Sequence, residues 1–198
     1  MAETRSIAVE GHTINGFVLA GGRSQRMGRD KADLPWRGSS LLDHMVRLLS
    51  TVAAQVRVIG RESIPDKIPG RGPLGGIMTA LDITDTQKNL IVAVDLPLLT
   101  PGFLQMFRNR LIASTKHLVA CKIGSDYPLC LGVDRSMSSV IGRRVEAGLL
   151  ALHRLADEAD AEILSEDQIA AAGFPISMFY NVNTPDDWEE VNTSSPQK

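Results

Sequence analysis

Short apolar runs alternate with amphipathic stretches along the first half of the chain. Three runs are rich in β-branched and other apolar residues and predict buried strands at 14–20, 55–59 and 90–95. After each run, apolar residues recur at helical spacing and predict helices at 41–49, 73–81 and 100–111. Alternation of strands and helices is typical of a parallel sheet covered by helices on its faces.

The pattern changes after residue 117. Two apolar runs at 118–121 and 129–133 flank a polar turn at 124–128, which predicts an antiparallel excursion on the sheet edge. The remaining pattern predicts a helical stretch around 149–155, a short strand at 161–164, an extended run at 179–183 and a helix from Thr184-Pro185. We therefore expect a three-layer α/β fold with a mostly parallel sheet and a small antiparallel excursion.

The same pattern predicts one domain at 13–191, between an N-terminal extension at 1–12 and a polar tail at 192–198. The 198 residues are 43% hydrophobic and 22% charged, as in an ordinary globular protein.

The formal net charge of −2 gives no support for nucleic-acid binding. No apolar run approaches the ~20 residues of a membrane span, and residues 1–11 lack the apolar centre of a secretory signal. With only two cysteines in the chain, we expect a cytoplasmic protein with reduced thiols.

A glycine-rich loop with several cations leaves the first predicted strand. The strand is followed by Gly21 and Gly22 and then by four cations: Arg23, Arg26, Arg29 and Lys31. Glycines let backbone N–H groups approach an anion, and cations stabilise its charge, so the loop predicts a phosphate site. The spacing is neither that of a Walker-type loop nor that of a dinucleotide fingerprint. A tight surface loop with incidental cations is the alternative.

Asp95 ends the most apolar of the predicted strands. A carboxylate there is costly to bury unless it is paired or metal-bound, and the carboxyl edge of a parallel sheet faces the ligand crevice. Mg²⁺ is commonly held by one or two carboxylates together with substrate phosphate oxygens. Asp95 is therefore a candidate Mg²⁺ ligand, and an aspartate that caps the turn before Pro97 is the alternative.

The loop at 19–31, read as Leu-Ala-Gly-Gly-x-Ser-x-Arg-Met-Gly-x-Asp-Lys, resembles the signature loop of molybdenum cofactor guanylyltransferases in the nucleotidyltransferase superfamily. Weaker similarity runs along most of the chain, at the glycine segment 72–77, at Val94-Asp95-Leu96-Pro97 and at the late motif 181–185. The chain departs from the family at Gly60-Arg61, where the family has an asparagine. The resemblance implies a Rossmann-like fold of the nucleotide-diphospho-sugar transferase type.

The resemblance implies transfer of GMP from GTP to molybdopterin, or to its molybdenum-loaded form, with release of pyrophosphate and with Mg²⁺ as cofactor. It implies that GTP is bound by Leu19, Ala20, Gly21, Gly22, Lys31, Asp66 and Asp95. Lys31 would contact the phosphates, Asp66 the guanine or ribose side, and Asp95 the metal. Arg26 would steady the leaving pyrophosphate, which makes Lys31, Arg26 and Asp95 the catalytic candidates. Molybdopterin would be bound by Asn181, Asn183, Tyr127 and Pro128.

Two other functions stay open at this point. One is a related nucleotidyltransferase that uses CTP or activates a sugar phosphate, and the other is a nucleotide-binding regulator without turnover. Gly21 after Ala20 and an asparagine at position 183 favour the guanylyl reading, whereas Lys31 together with Asp95 argues against a regulator. Proteins that deliver or receive the cofactor are further candidate partners.

Overall fold

The computed structural model describes residues 13–21 and 30–193. Two of the predicted site residues, Gly22 and Arg26, lie outside the described residues, as do the predicted extension at 1–12 and residues 194–198 of the tail.

A six-stranded sheet and a two-stranded sheet make up the β-structure of the described residues. The strands in chain order are β1 (Ile14–Leu19), β2 (Pro35–Trp36), β3 (Ser39–Ser40), β4 (Gln55–Ile59), β5 (Lys88–Ala93), β6 (Leu118–Lys122), β7 (Cys130–Asp134) and β8 (Glu162–Ser165). The large sheet has the order β4-β1-β5-β7-β6-β8, and β2 pairs with β3. Only β7 runs against its neighbours in the large sheet, which confirms the mostly parallel α/β architecture.

Helices connect the strands and cover both faces of the sheet. In chain order they are α1 (Leu41–Ser50), α2 (Gly72–Ile83), α3 (Pro101–Ala113), α4 (Ser138–Glu146), α5 (Leu152–Glu158), α6 (Glu166–Ala171) and α7 (Pro185–Thr193). Short 3-10 turns occur at Lys31–Asp33, Arg135–Met137 and Ile176–Phe179. Within the described ranges, no helix combines the length and the apolar character that crossing a membrane requires.

Several helices begin at the capping residues that the sequence predicts. The Ser40 hydroxyl accepts a hydrogen bond from the Asp43 N–H at 3.0 Å, at the start of α1. The Thr100 hydroxyl accepts one from the Phe103 N–H at 3.2 Å, and Pro101 occupies the first turn of α3. These side chains satisfy N–H groups that have no partner within the helix, which fixes where each helix starts.

Two apolar cores enclose the sheet, one on each face. On one face, Val18, Leu90 and Val92 share a core with residues of α1, α3 and α7, among them Met45, Leu49, Phe103, Phe107 and Val191. On the other face, Phe17, Ile91 and Leu131 share a core with residues of α2, α4 and α5, among them Ile77, Leu81, Ile141, Val145 and Leu155. Consecutive strand residues therefore serve opposite layers, which gives the predicted three-layer arrangement.

The antiparallel strand lies inside the large sheet, so its predicted place on the edge is wrong. β7 pairs with β5 on one side and with β6 on the other. All five of its residues are buried, whereas the edge strands β4 and β8 contain partly exposed residues. A continuous apolar run suits an interior strand with both faces covered, and this explains the position of β7.

Two further predictions on the second half of the chain need correction. The helical stretch predicted around 149–155 begins later, because Gly148 adopts a φ of +71° and α5 starts only at Leu152. The extended run at 179–183 is not a strand: Phe179 ends a 3-10 turn and the next four residues carry no regular structure. One sheet-like contact remains, from the Val182 N–H to the Asp95 carbonyl at 3.0 Å.

Candidate active site

The carboxyl ends of β1 and β5 lie side by side and carry the two most informative segments of the chain. The strands are parallel neighbours, with Leu19 opposite Ala93. The Val94 N–H donates to the Leu19 carbonyl at 3.0 Å, which extends the pairing to the residue before Asp95. The glycine loop and Asp95 therefore leave the sheet at the same edge, where open α/β sheets bind their ligands.

Lys31 brings three distant parts of the chain together at this edge. Its Nζ donates to the Asn183 side-chain oxygen at 2.7 Å and lies 3.4 Å from Asp95 Oδ2. The Lys31 side chain is 17% exposed and that of Asp95 is 23% exposed, so the pair is largely shielded from solvent. An ammonium held in this way is a pre-oriented partner for phosphate oxygens.

The segment that carries Lys31 is fixed by charged contacts on both sides of the lysine. The Asp30 carboxylate caps the 3-10 turn by accepting from the Ala32 N–H at 3.0 Å. The Arg61 guanidinium donates to Asp30 at 2.5 Å and to Asp33 at 3.0 Å. Arg61 follows β4, so these contacts tie the end of β4 to the segment after the glycine loop.

Burial and a nearby cation shift the pKa of the Asp95 carboxyl in opposite directions. Burial raises the pKa of this carboxyl above its ordinary value, and the Lys31 ammonium partly offsets the effect. A shielded carboxylate beside an ammonium group suits a divalent metal ion that takes its other ligands from a bound phosphate chain. Among the described residues, no group of three or more His, Cys, Asp and Glu could hold a metal ion without such help.

Gly60 and Gly21 are in close contact where the glycine loop begins. Gly60 has a φ of +86°, and a Cβ placed on it would lie 2.3 Å from the Gly21 Cα. A Cβ on Gly21 would lie 2.9 Å from Asp66 Oδ2, so Asp66 borders the same contact. This packing accounts for the glycine at position 60, because any side chain there would collide with the loop. Partial burial raises the pKa of Asp66 above its ordinary value.

The late motif reaches the site through an extended segment. Val182 is buried, whereas Asn181 and Asn183 are exposed, so burial alternates along this segment even though it is not a strand. Asn183 turns its amide oxygen to Lys31. Thr184 caps α7 as predicted, because its hydroxyl accepts from the Asp187 N–H at 3.2 Å.

A cavity of about 470 Å³ lies beside this cluster. Its lining includes three of the predicted molybdopterin residues, Tyr127, Pro128 and Asn181, together with Tyr180. Asn183, the fourth predicted residue, is not part of this lining and contacts Lys31 instead. The structure therefore brings three of the four residues around one space, whereas the fourth contacts Lys31.

Three residues of the site region escaped the sequence reasoning: Arg61, Tyr180 and Asp187. The partners of Arg61 are 28 and 31 residues away, so no local pattern indicates its role. The Tyr180 hydroxyl donates to Asp187 and to Glu190, each at 3.1 Å. Asp187 could have been found, since a carboxylate three residues after a threonine cap is the spacing of a capping box.

Comparison with known proteins identifies relatives of similar sequence and structures of similar fold. A relative from Xanthomonas euvesicatoria, named molybdenum cofactor guanylyltransferase, is 33% identical over 187 residues, covering 91% of this chain and 95% of that protein. Molybdopterin-guanine dinucleotide biosynthesis protein A from Archaeoglobus fulgidus has a similar structure, with a TM-score of 0.78, 20% identity and coverage of 90% of this chain and 97% of that chain. Rv0371C from Mycobacterium tuberculosis H37Rv, solved as a complex with manganese, has a TM-score of 0.64 at 17% identity, covering 92% of this chain and all of that chain.

The family described as the MobA-like NTP transferase domain matches residues 16–163, which include the glycine loop, Asp66, Asp95 and the Tyr127-Pro128 turn. This match spans well over half of the chain, and the Xanthomonas relative extends the similarity beyond it. The chain is thus a nucleotidyltransferase that belongs to the family of MobA-like NTP transferase domains.

Proposed function

We propose that this protein transfers GMP from GTP to molybdopterin, or to molybdenum-loaded molybdopterin, and releases pyrophosphate. The product is the guanine dinucleotide form of molybdenum cofactor. In this proposal residues 13–191 form the single transferase domain. The enzyme acts in the cytoplasm, and the unbridged state of Cys121 and Cys130 is in keeping with a reducing compartment.

One observation carries the proposal: Lys31, Asp95 and Asn183 converge at the edge of the sheet where the glycine loop begins. Lys31 contacts both of the other side chains although Asp95 is 64 residues away and Asn183 is 152 residues away. A cation, a shielded carboxylate and an amide are together suited to a nucleotide phosphate chain and to the acceptor that reacts with it.

The nucleotide half of the site would consist of the loop and its surroundings. Backbone groups of Leu19, Ala20, Gly21 and Gly22 would line the nucleotide, and Lys31 would hold its phosphates. Asp66, which borders Gly21, would face the guanine or ribose side. Arg26 would stabilise the charge of the leaving pyrophosphate.

Asp95 would hold Mg²⁺, for which its shielded carboxylate is suited. When bound there, the ion would neutralise charge on the phosphate oxygens of GTP. The protein's own contribution is to position the reactants and to keep Lys31 aimed at the phosphates.

The acceptor half would be the 470 Å³ cavity with Tyr127, Pro128 and Asn181 in its lining. The terminal phosphate of molybdopterin would attack the α-phosphorus of GTP in line. A new bond forms between that phosphate oxygen and the α-phosphorus, and the bond to the β-phosphate oxygen breaks. The electron pair leaves with pyrophosphate. The attacking phosphate is already ionised at neutral pH, so the step needs no general base.

The test is product analysis with purified protein, Mg²⁺, molybdopterin and one nucleotide at a time. With GTP we expect pyrophosphate and a guanine dinucleotide in equal amounts, and neither product when molybdopterin is omitted. Turnover with CTP and none with GTP would show a cytidylyl specificity instead, and equal turnover with both would show that the site does not select the base. Tight GTP binding without any product would favour a regulator.

A further inference from the structure

Backbone N–H groups of the late motif, residues 181–185, form hydrogen bonds with two other parts of the chain. Upstream, the Val182 N–H donates to the Asp95 carbonyl at 3.0 Å. Downstream, Asp187 Oδ2 accepts from the N–H groups of both Asn183 and Thr184, each at 2.8 Å. Asn183 therefore lies in a short span that is tied on one side to Asp95 and on the other to Asp187.

Asp187 does more than a capping box requires. In a capping box, the residue in this position of the first turn accepts only from the N–H of the cap residue, which here is Thr184. The bond from the Asn183 N–H is additional, and it is made to the residue before the cap. Its effect is to fix the backbone of the residue whose side chain contacts Lys31.

The second carboxylate oxygen of Asp187 also accepts a hydrogen bond. Oδ1 accepts from the Tyr180 hydroxyl at 3.1 Å, and Tyr180 lines the acceptor cavity. The bonds to Asp187 and Glu190 raise the pKa of Tyr180 to about 12, so the phenol stays a donor at neutral pH. The Asn183 N–H and the other donors hold the pKa of Asp187 below its ordinary value. The ionised Asp187 carboxylate thus holds both Tyr180, in the wall of the acceptor cavity, and the backbone of Asn183, whose side chain contacts Lys31.

We propose that Asp187 is a positioning residue: through the Asn183 backbone it orients the Asn183 amide and thereby aims Lys31 at the phosphates. The inference rests on the proposed function for its catalytic consequence, but the orientation itself does not depend on any reaction. Asp187 does not touch Lys31 or Asp95 in this scheme and acts only through Asn183.

The chain offers matched controls for a structural test. Thr184→Ala removes the hydroxyl half of the cap but keeps the carboxylate, and Asp186→Ala removes the neighbouring acid of the same first turn. Crystal structures of wild type, Asp187→Ala and both controls should show the contact between Lys31 and Asn183 lost only in Asp187→Ala. Its loss in Thr184→Ala as well, or its retention in Asp187→Ala, would overturn the proposal. If Asp187→Ala does not fold, Asp187→Ser removes the same carboxylate and keeps a polar residue in the first turn.

Kinetics then separate positioning from simple helix capping. Asp187→Ala should lower kcat for GMP transfer ~10-fold or more, as expected when a hydrogen bond to a charged group is lost, while the KM for GTP changes less. Asp187→Asn, which keeps one acceptor oxygen, should restore most of kcat. In an Asn183→Ala background, Asp187→Ala should cause no further loss. A full additional loss in that background would overturn the proposal. If wild type transfers no GMP, the proposed function fails, and the crystal structures alone decide the role of Asp187.

Discussion

Gly60 and Gly21 approach each other so closely that a Cβ on Gly60 would lie 2.3 Å from the Gly21 Cα. This contact joins the end of β4 to the start of the nucleotide loop. The Ala20 N–H also donates to the Ile59 carbonyl at 2.9 Å, immediately before the two glycines. The position of Gly21 therefore depends on a residue nearly 40 positions further along the chain that has no side chain of its own.

Gly60→Ala should destabilise the protein more than Gly38→Ala does. Both glycines have a positive φ, +86° and +84°, but a Cβ on Gly38 would meet nothing within 4 Å. Gly38→Ala should lower the free energy of unfolding by about 1–2 kcal/mol, the cost of the left-handed backbone alone. Gly60→Ala should cost roughly 2–5 kcal/mol, because overpacking adds to that cost. Urea unfolding of both variants measures the difference. Equal losses would mean that the contact with Gly21 relaxes without cost.

Asp95→Asn should lower turnover by at least ~10²-fold, by analogy with the loss of an electrostatic contact in the transition state. The substitution keeps the size of the side chain and removes the charge that attracts the metal ion. Pyrophosphate release at saturating Mg²⁺ is the measurement, and Asp43→Asn, on the exposed side of α1, is the control. Turnover close to that of wild type would refute the assignment of Asp95.

Lys31→Ala should weaken the binding of GTP, GDP and ATP by similar factors, since the ammonium contacts phosphates that all three share. The preference for guanine should stay unchanged. Titrations with each nucleotide give the ratios, and Lys67→Ala, whose lysine pairs with Asp82, is a control for loss of a positive charge. A selective effect on GTP over ATP would mean that Lys31 is close to the base.

Asn181→Ala should weaken molybdopterin binding roughly 5- to 150-fold, if the amide forms one hydrogen bond whose loss costs ~1–3 kcal/mol. GTP affinity should change much less, because the proposed function assigns the nucleotide to the glycine loop and Asp95 and not to Asn181. The exposed Asn109 of α3 provides the control substitution. Equal losses for both ligands would indicate a general structural role for Asn181. A loss confined to GTP would place Asn181 at the nucleotide and would contradict its assignment to the acceptor cavity.

The contribution of Asp187 to stability should disappear in acid. Hydrogen bonds led by the Asn183 N–H lower the pKa of this carboxyl in the folded state. Its stabilising effect is therefore complete above the unfolded value of about 3.9 and is lost as the pH falls through the lower folded value. The difference in free energy of unfolding between wild type and Asp187→Asn should accordingly shrink from pH 6 towards pH 2.5. A difference that stays constant over this range would show that the carboxylate charge contributes nothing.

Local sequence patterns predicted the strands and helix starts that depend on neighbouring residues alone. The apolar runs of β1, β4 and β5 and the caps at Ser40, Thr100 and Thr184 were readable, because burial and capping depend on neighbouring residues. The interior position of β7 was not predicted, although its uninterrupted apolar run is typical of a strand that is covered on both faces. Ion pairs were the least predictable feature: Arg144 is only 6% exposed and pairs with Glu158, which lies 14 residues further along the chain on another helix.

β7 runs antiparallel to its neighbours, so it begins at the edge of the large sheet where the parallel strands end. The turn that leads into β7 closes tightly, through paired backbone bonds between Ile123 and Asp126, each 2.9 Å long. An antiparallel hairpin can be closed by as few as two residues, whereas a crossover between parallel strands needs about a dozen or more. The turn at 123–126 is a surface connection, and such connections tolerate insertions. If the proposed function is correct, an insertion of a few residues there would reshape the wall formed by Tyr127 and Pro128 and would leave the β1 and β5 ends that carry the nucleotide half unchanged.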